Sequence, residues 1–207
     1  MYAPGMTGRT RRPPTGAAVL QPQITSAISE AVLDELAERG YGRLSMEAVA
    51  RRAGVGKSAL YRRWPRKQDM VLAVLSQMSV PLAEFPDTGS LRGDLIAGLA
   101  AIRDWLTHPR FVLILPDLTA EAARNPVLAE AIQDTIGTPR RQLGSAALHR
   151  AVERGELPAD LNLELALDLL AAPIHWRLNV RQAPIEPGYL EALADHLMRA
   201  LGATEHH

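Results

Sequence analysis

The stretch Ser45 to Lys67, SMEAVARRAGVGKSALYRRWPRK, constrains this chain more than any other. It holds two short helical patterns joined by Ala53-Gly54-Val55. Met46, Val49 and Ala53 recur at helical spacing in the first pattern, and Ser45 stands where an N-cap belongs. Its hydroxyl is placed to accept from a first-turn amide, and Glu47 sets a carboxylate at the positive end of the helix dipole. Gly54 supplies the residue that tolerates positive φ where the chain turns. The second pattern starts near Gly56 or Lys57 and runs to Trp64, where Pro65 forbids continuation. Helix, short glycine turn, helix is the layout in which a second helix enters the major groove of DNA.

Leu60 and Trp64 are four apart, so they share one face and pack inward. The other faces carry Lys57, Ser58, Ala59, Tyr61, Arg62 and Arg63. Cations beside small residues and a phenol suit phosphate anchoring and close approach to base edges. With Ser45 and Lys67, each at a helix start, these are the candidate DNA contacts. Gly54-Val55-Gly56-Lys57-Ser58 also matches the end of a phosphate-binding loop, G-x-x-x-x-G-K-[ST]. That loop needs a glycine at position 51, which is Arg51, and a buried strand before it, where residues 46–52 have a helical period. A nucleotide-dependent enzyme built on this stretch is the alternative. A helical protein–protein adaptor is a third reading, and it would show no salt-dependent DNA binding.

Residues from about Ile24 to Leu75 resemble the DNA-binding domain of the tetracycline-repressor (TetR) family of bacterial transcriptional regulators. The string AVLDELAERGYGRLSMEAVARRAGVGKSALYRRWPRKQDMVLAVL carries the resemblance. It contains a first helix closed by Gly40-Tyr41, the glycine turn, Leu60-Tyr61, an aromatic at Trp64, and Lys67 opening the next helix. The chain departs from the family in having Gly56 where serine is common, Ala59 for threonine, Arg63 for histidine and Trp64 for phenylalanine. Alanine at 59 limits base readout there to apolar contact, whereas Arg63 keeps a phosphate donor. The segment Arg150 to Leu157, followed by a leucine-rich helix, resembles the C-terminal domain of one subgroup of the same family. The resemblance implies a homodimer that binds a palindromic operator as a repressor and is released by a small-molecule effector.

Composition sets the rest of the frame. Of 207 residues 47% are apolar and only 4% aromatic, which suits packed helices better than a sheet. The expected fold is all-α, with a flexible basic arm at 1–21, a helix-turn-helix domain at 22–80 and a helical effector-binding and dimerisation domain at 81–204. Net charge is zero, but it is split. Residues 1–67 hold 12 Lys and Arg against 5 Asp and Glu, a net of +7, and residues 68–207 hold 11 against 18, a net of −7. A basic head on an acidic body favours one orientation of approach to DNA. No cysteine is present, no apolar run approaches a membrane span, and the N-terminal arginines lack a following apolar region. Cytoplasmic localisation follows, with nucleoid association when bound to DNA. His108, His149, His175 and His196 lie far apart without metal-site spacing, and no nucleophile motif occurs, so no metal, cofactor or enzymatic activity is expected.

Along the chain, Arg9, Arg11 and Arg12 either reach DNA from the arm or sit on an unstructured leader. Ile24, Ala27, Ile28, Ala31, Val32 and Leu36 form the stripe of a first helix stopped by Gly40. Lys67 to Met78 is the helix that joins head to body. Helices are then expected over Ser90–Thr107, Phe111–Ala123, Asn125–Arg154 with a break at Gly137-Thr138-Pro139, Leu163–Val180, and Tyr189–Leu201. Trp105, Phe111 and Trp176 are either the lining of an effector pocket or ordinary core, with His175 and Arg177 as its polar contacts. Two apolar helices at the chain end are more than a monomer buries. Leu190, Leu193, Leu197 and Leu201 are accordingly the expected dimer contacts in a four-helix interface.

Overall fold

The computed structural model describes residues 17–79, 81 and 85–204, with side chains from residue 23. It is all-helical, with no strand among the described residues. Helix α1 spans Ala17–Arg43, α2 Met46–Ala53, α3 Lys57–Arg63 and α4 Lys67–Ser79. The body adds α5 (Leu91–Thr107), α6 (Phe111–Ala122), α7 (Pro126–Ile132), α8 (Thr138–Glu153), α9 (Leu163–His175) and α10 (Tyr189–Ala200). Helix α1 begins inside the stretch expected to be a flexible arm, because Ala17-Ala18-Val19-Leu20-Gln21 is a run of helix formers. Arg9, Arg11 and Arg12 lie outside the described residues.

Gly40 does not end α1 but interrupts it. At φ 75°, ψ 166° it occupies backbone space essentially reserved for glycine, and Tyr41–Arg43 then resume a turn. The interruption receives Asp117 of α6, whose Oδ2 accepts from the Tyr41 amide at 2.7 Å.

The break expected at 137–139 is a wide π-turn, Gln133–Gly137, that carries α7 into α8. Pro139 has no N–H for the carbonyl four residues back, and that carbonyl, of Thr135, accepts from Ser76 Oγ of α4 at 3.1 Å. A second π-turn, Trp176–Val180, extends α9 beyond Pro173.

Two hydrophobic clusters form the interior. One joins the head to α6, α7 and the first π-turn through Leu33, Leu36, Leu60, Val74, Phe111, Ile114, Leu118, Leu128 and Ile136. The other packs α5, α8, α9 and α10 through Leu95, Leu99, Leu148, Leu170, Ala194 and Leu197. The head is therefore joined to the body along α1–α6 packing as well as through α4. Arg110 at the start of α6 reinforces this, pairing with Glu30 at 2.7 Å and Asp34 at 2.8 Å on α1.

Candidate nucleic-acid interface and effector chamber

Ser45 caps α2: its Oγ accepts from the Ala48 amide at 3.2 Å. Gly54, at φ 67°, closes α2, and the Val55 amide reaches back to the Ala50 carbonyl at 3.0 Å. Gly54–Gly56 is thus a turn between two helices, with Lys57 and Ser58 opening the second, and not a loop leaving a strand, which removes the structural context a phosphate-binding loop needs. Arg52 fixes α2 to α1 with a two-pronged pair to Glu38 and a 3.0 Å contact to the buried Glu35.

Leu60 and Trp64 pack inward as their spacing requires. Lys57, Ser58, Tyr61, Arg62 and Arg63 are exposed on α3, and Ala59 is half-buried. Glu47 on the first turn of α2 organises two of them. Its Oε1 accepts from the Tyr61 hydroxyl at 3.2 Å and lies 3.8 Å from Lys57 Nζ. Its own backbone amide, then Tyr61 and Lys57, hold its carboxyl below the usual range. Arg63 turns toward α1, donating to Thr25 Oγ1 at 2.7 Å and stacking 4.8 Å from the Trp64 ring centre. Arg62, and Arg51 at the end of α2, have no carboxylate partner among the described residues.

Lys67 is more committed than the sequence suggests. It donates to the Tyr41 carbonyl at 2.8 Å and sits 4.4 Å from the Tyr41 ring centre. Burial pulls its pKa down against the opposing pull of Glu121.

A chamber of about 380 Å³ lies where α4, α6 and the first π-turn meet, lined by Leu75, Ser79, Trp105, Phe111, Leu115, Leu118, Ile132, Gln133, Ile136 and Arg140 among others. A second, about 300 Å³, shares Trp105, Gln133, Gly137 and Arg140 and extends toward Leu167, Leu170 and His175. Trp105 and Phe111, 5.5 Å apart between ring centres, both line the first. His175 reaches only the second.

Trp176 and Arg177 belong to neither chamber. Trp176 is 58% exposed on the outer face of the second π-turn. Arg177 donates to the Pro184 carbonyl at 2.6 Å and covers the Tyr189 ring. Each residue of a helix is rotated about 100° from the last, which carries Trp176 and Arg177 off the face by which the exposed His175 rims the second chamber. No local pattern in the sequence singles out Ser79, Gln133 or Arg140. Arg140 and Arg141 look alike in sequence, yet Arg141 turns outward to Asp168 and Glu164 while Arg140 turns inward.

The leucines expected at a dimer interface also need correction. Leu190, Leu197 and Leu201 are buried against α5 within their own chain, and Leu193 is half-buried there. Helix α10 spends its apolar stripe on the protomer core. The outward apolar stripe is on α9 and its π-turn: Leu165, Ala172, Trp176 and Val180 are exposed, with Leu169 half-buried between them.

Comparison with known proteins adds the following. Residues 28–74 match the family described as bacterial regulatory proteins, tetR family, and residues 85–197 match the tetracyclin repressor-like C-terminal domain. The chain is 32% identical over 189 residues to an uncharacterized HTH-type transcriptional regulator of Mycobacterium tuberculosis, covering 89% of this chain and 90% of that one. It is 31% identical over 178 residues to the DNA-binding transcriptional repressor TetR of Mycobacteroides abscessus, covering 86% and 93%. The crystal structure of the TetR family transcription regulator SCO0332 superposes with a TM-score of 0.69 at 30% identity, covering 86% of this chain and 97% of that one.

Proposed function

This chain belongs to the TetR family of helix-turn-helix transcriptional regulators, and from that premise we propose that it is a homodimeric repressor that leaves its operator when an apolar effector fills the chamber between α4 and α6. The observation that carries the proposal is the division of α3. One face is sunk into the head through Leu60 and Trp64, and the opposite face presents Lys57, Ser58, Tyr61 and Arg62 to solvent. In this assignment Lys57 and Arg62 anchor phosphates. Tyr61, aligned by Glu47, and Ser58 face base edges, with Ala59 beside them. Arg63 and Lys67 hold α3 and α4 against α1 and add positive potential at the same surface. Ser45 aligns α2 as its cap. The repressing sign is supported by the likeness to the M. abscessus repressor.

Release follows from spacing. A dimer must present two α3 helices roughly 34–36 Å apart, so tilting α4 or α6 under each head spoils the fit. DNA and effector then weaken each other by the same factor.

Genomic fragments retained by the purified protein identify the operator, and binding is then measured against salt. Lys57→Ala is expected to weaken binding and to lower the slope of log K against log salt by about one. Tyr61→Phe is expected to weaken binding without changing that slope. If Lys57→Ala leaves both affinity and slope untouched, α3 is not the recognition helix.

A further inference from the structure

We propose that the effector is an apolar molecule bearing one anionic group, and that Arg140 is the residue that receives it. This rests on the ligand-responsive function proposed above and names the chemistry of that ligand.

The arginines of the body set the contrast. Arg141 pairs with Asp168 at 2.7 Å, Arg154 with Asp94 at 3.0 Å and Glu156 at 2.6 Å, and Arg110 with Glu30 and Asp34. Arg140, on the chamber side of α8, has no carboxylate partner among the described residues. Its guanidinium donates to the carbonyl of Ser79, the last residue of α4, and lies over Trp105, 4.1 Å from the ring centre. Burial pulls its pKa to about 10, so it is still a cation at neutral pH. A cation held among apolar walls without a counter-charge is costly, and an anion brought in by a ligand removes that cost.

Two residues that line the same chamber also carry buried donors without a partner: Ser79 Oγ, on a residue 1% exposed, and Trp105 Nε1. Guanidinium, hydroxyl and indole N–H together match the acceptor-only oxygens of a carboxylate or sulfonate. Most of the remaining wall, Leu75, Phe111, Leu115, Leu118, Ile132 and Ile136, suits an apolar body, with Thr119 and Gln133 as its polar members. As the anion binds, it takes the place of the Ser79 carbonyl on the guanidinium, which frees the end of α4 in the same event.

The larger open cleft between α5 and α10, about 820 Å³, makes no such case, because its Arg92 and Arg154 are already paired with Asp195 and Glu156 and its Arg199 is exposed to solvent, so no desolvated cation waits there for an anion.

The test is a fluorescence titration of the full chain with two probes on one aromatic frame, anionic 1-anilinonaphthalene-8-sulfonate and neutral N-phenyl-1-naphthylamine. The wild type is expected to prefer the anion. Arg140→Gln is expected to lose anion affinity by about tenfold or more, as for one charge-assisted contact, while neutral-probe affinity stays within about twofold. Arg140→Lys keeps the cation and is expected to keep the anion preference, so the idea stays decidable if Arg140→Gln does not fold. Equal affinity of the wild type for both probes, binding of neither, or unchanged anion affinity in Arg140→Gln would each overturn it. No DNA enters the titration. A chain that fails to bind an operator yet discriminates the probes refutes the regulatory reading and not this one.

Discussion

Asp94 is 1% exposed, and its carboxylate meets three donors: the Thr88 amide at 2.7 Å, the Thr88 hydroxyl at 2.7 Å and Arg154 at 3.0 Å. Arg154 also holds Asp87 and Glu156, while Glu156 accepts from the Leu91 amide at 2.8 Å. This network ties the loop before α5 to the end of α8, and it gives the Arg150–Leu157 segment a structural role. Gly155 turns the chain there at φ 75° so that Arg154 and Glu156 face the same loop. Burial pushes the Asp94 carboxyl up, but Thr88 and Arg154 outweigh it and hold the pKa below its ordinary value. A depressed carboxyl adds stability above its unfolded pKa of about 3.9 and loses it as pH falls through the lower folded value. Asp94→Asn is therefore expected to cost about 1–3 kcal/mol at neutral pH, with the gap to wild type closing under acid. Urea melts at pH 7 and below pH 3 check this, and a gap that stays constant across the range rules it out.

Helix α6 links chamber and head. Phe111, Leu115 and Leu118 line the chamber, while Arg110, Asp117 and Glu121 approach α1 from other faces of the same helix. A Cβ on Gly40 would stand 2.6 Å from Asp117 Oδ1, in backbone already strained for any side chain. Gly40→Ala is expected to destabilise the protein by about 2 kcal/mol or more, from backbone strain and displaced carboxylate together. Because Asp117→Ala removes the obstacle, the double variant should cost less than the two single variants added together. Strict additivity in equilibrium denaturation would mean that α6 and α1 do not meet as described.

At this scale the sequence was legible where a pattern is local. Ser45, Gly54 and Pro65 mark the boundaries of α2 and α3 through capping and φ restriction, and those boundaries hold to within a residue. Gly40 was visible as a stop but not as a notch, since Asp117 lies 77 residues away and nothing near Gly40 refers to it. The wide turns of α7–α8 and α9 were equally out of reach. A proline announces a disturbed helix, but whether the helix breaks or widens depends on who accepts the freed carbonyl, here Ser76 of another helix. Arg140 escaped because facing inward or outward at a widened turn is decided by that register.

The charge split of the chain, +7 over residues 1–67 and −7 over the remainder, directs the head toward DNA, and a two-headed assembly is what gives half-site spacing a meaning. The surface that could bring two chains together is the α9 stripe. Leu165, Trp176 and Val180 are each more than half exposed, and Leu169 and Ala172 fill the line between Leu165 and Trp176. Isolated apolar side chains on a surface need no partner, but five in helical register along one element make a contiguous face. A two-fold pairing buries such a face against its own copy, each residue meeting the same stripe from the other side. Leu165→Glu with Trp176→Glu is expected to give folded monomers in sedimentation, with the melting profile of a single protomer and weakened operator binding. Leu197→Glu is expected instead to unfold the chain, because Leu197 is only 3% exposed and packs against α5. The two outcomes separate a surface contact from a core one. A wild type that sediments as a monomer at micromolar concentration, or a Leu165→Glu/Trp176→Glu variant that remains dimeric, would move the interface elsewhere. The route from chamber to DNA would then have to act within one head rather than between two.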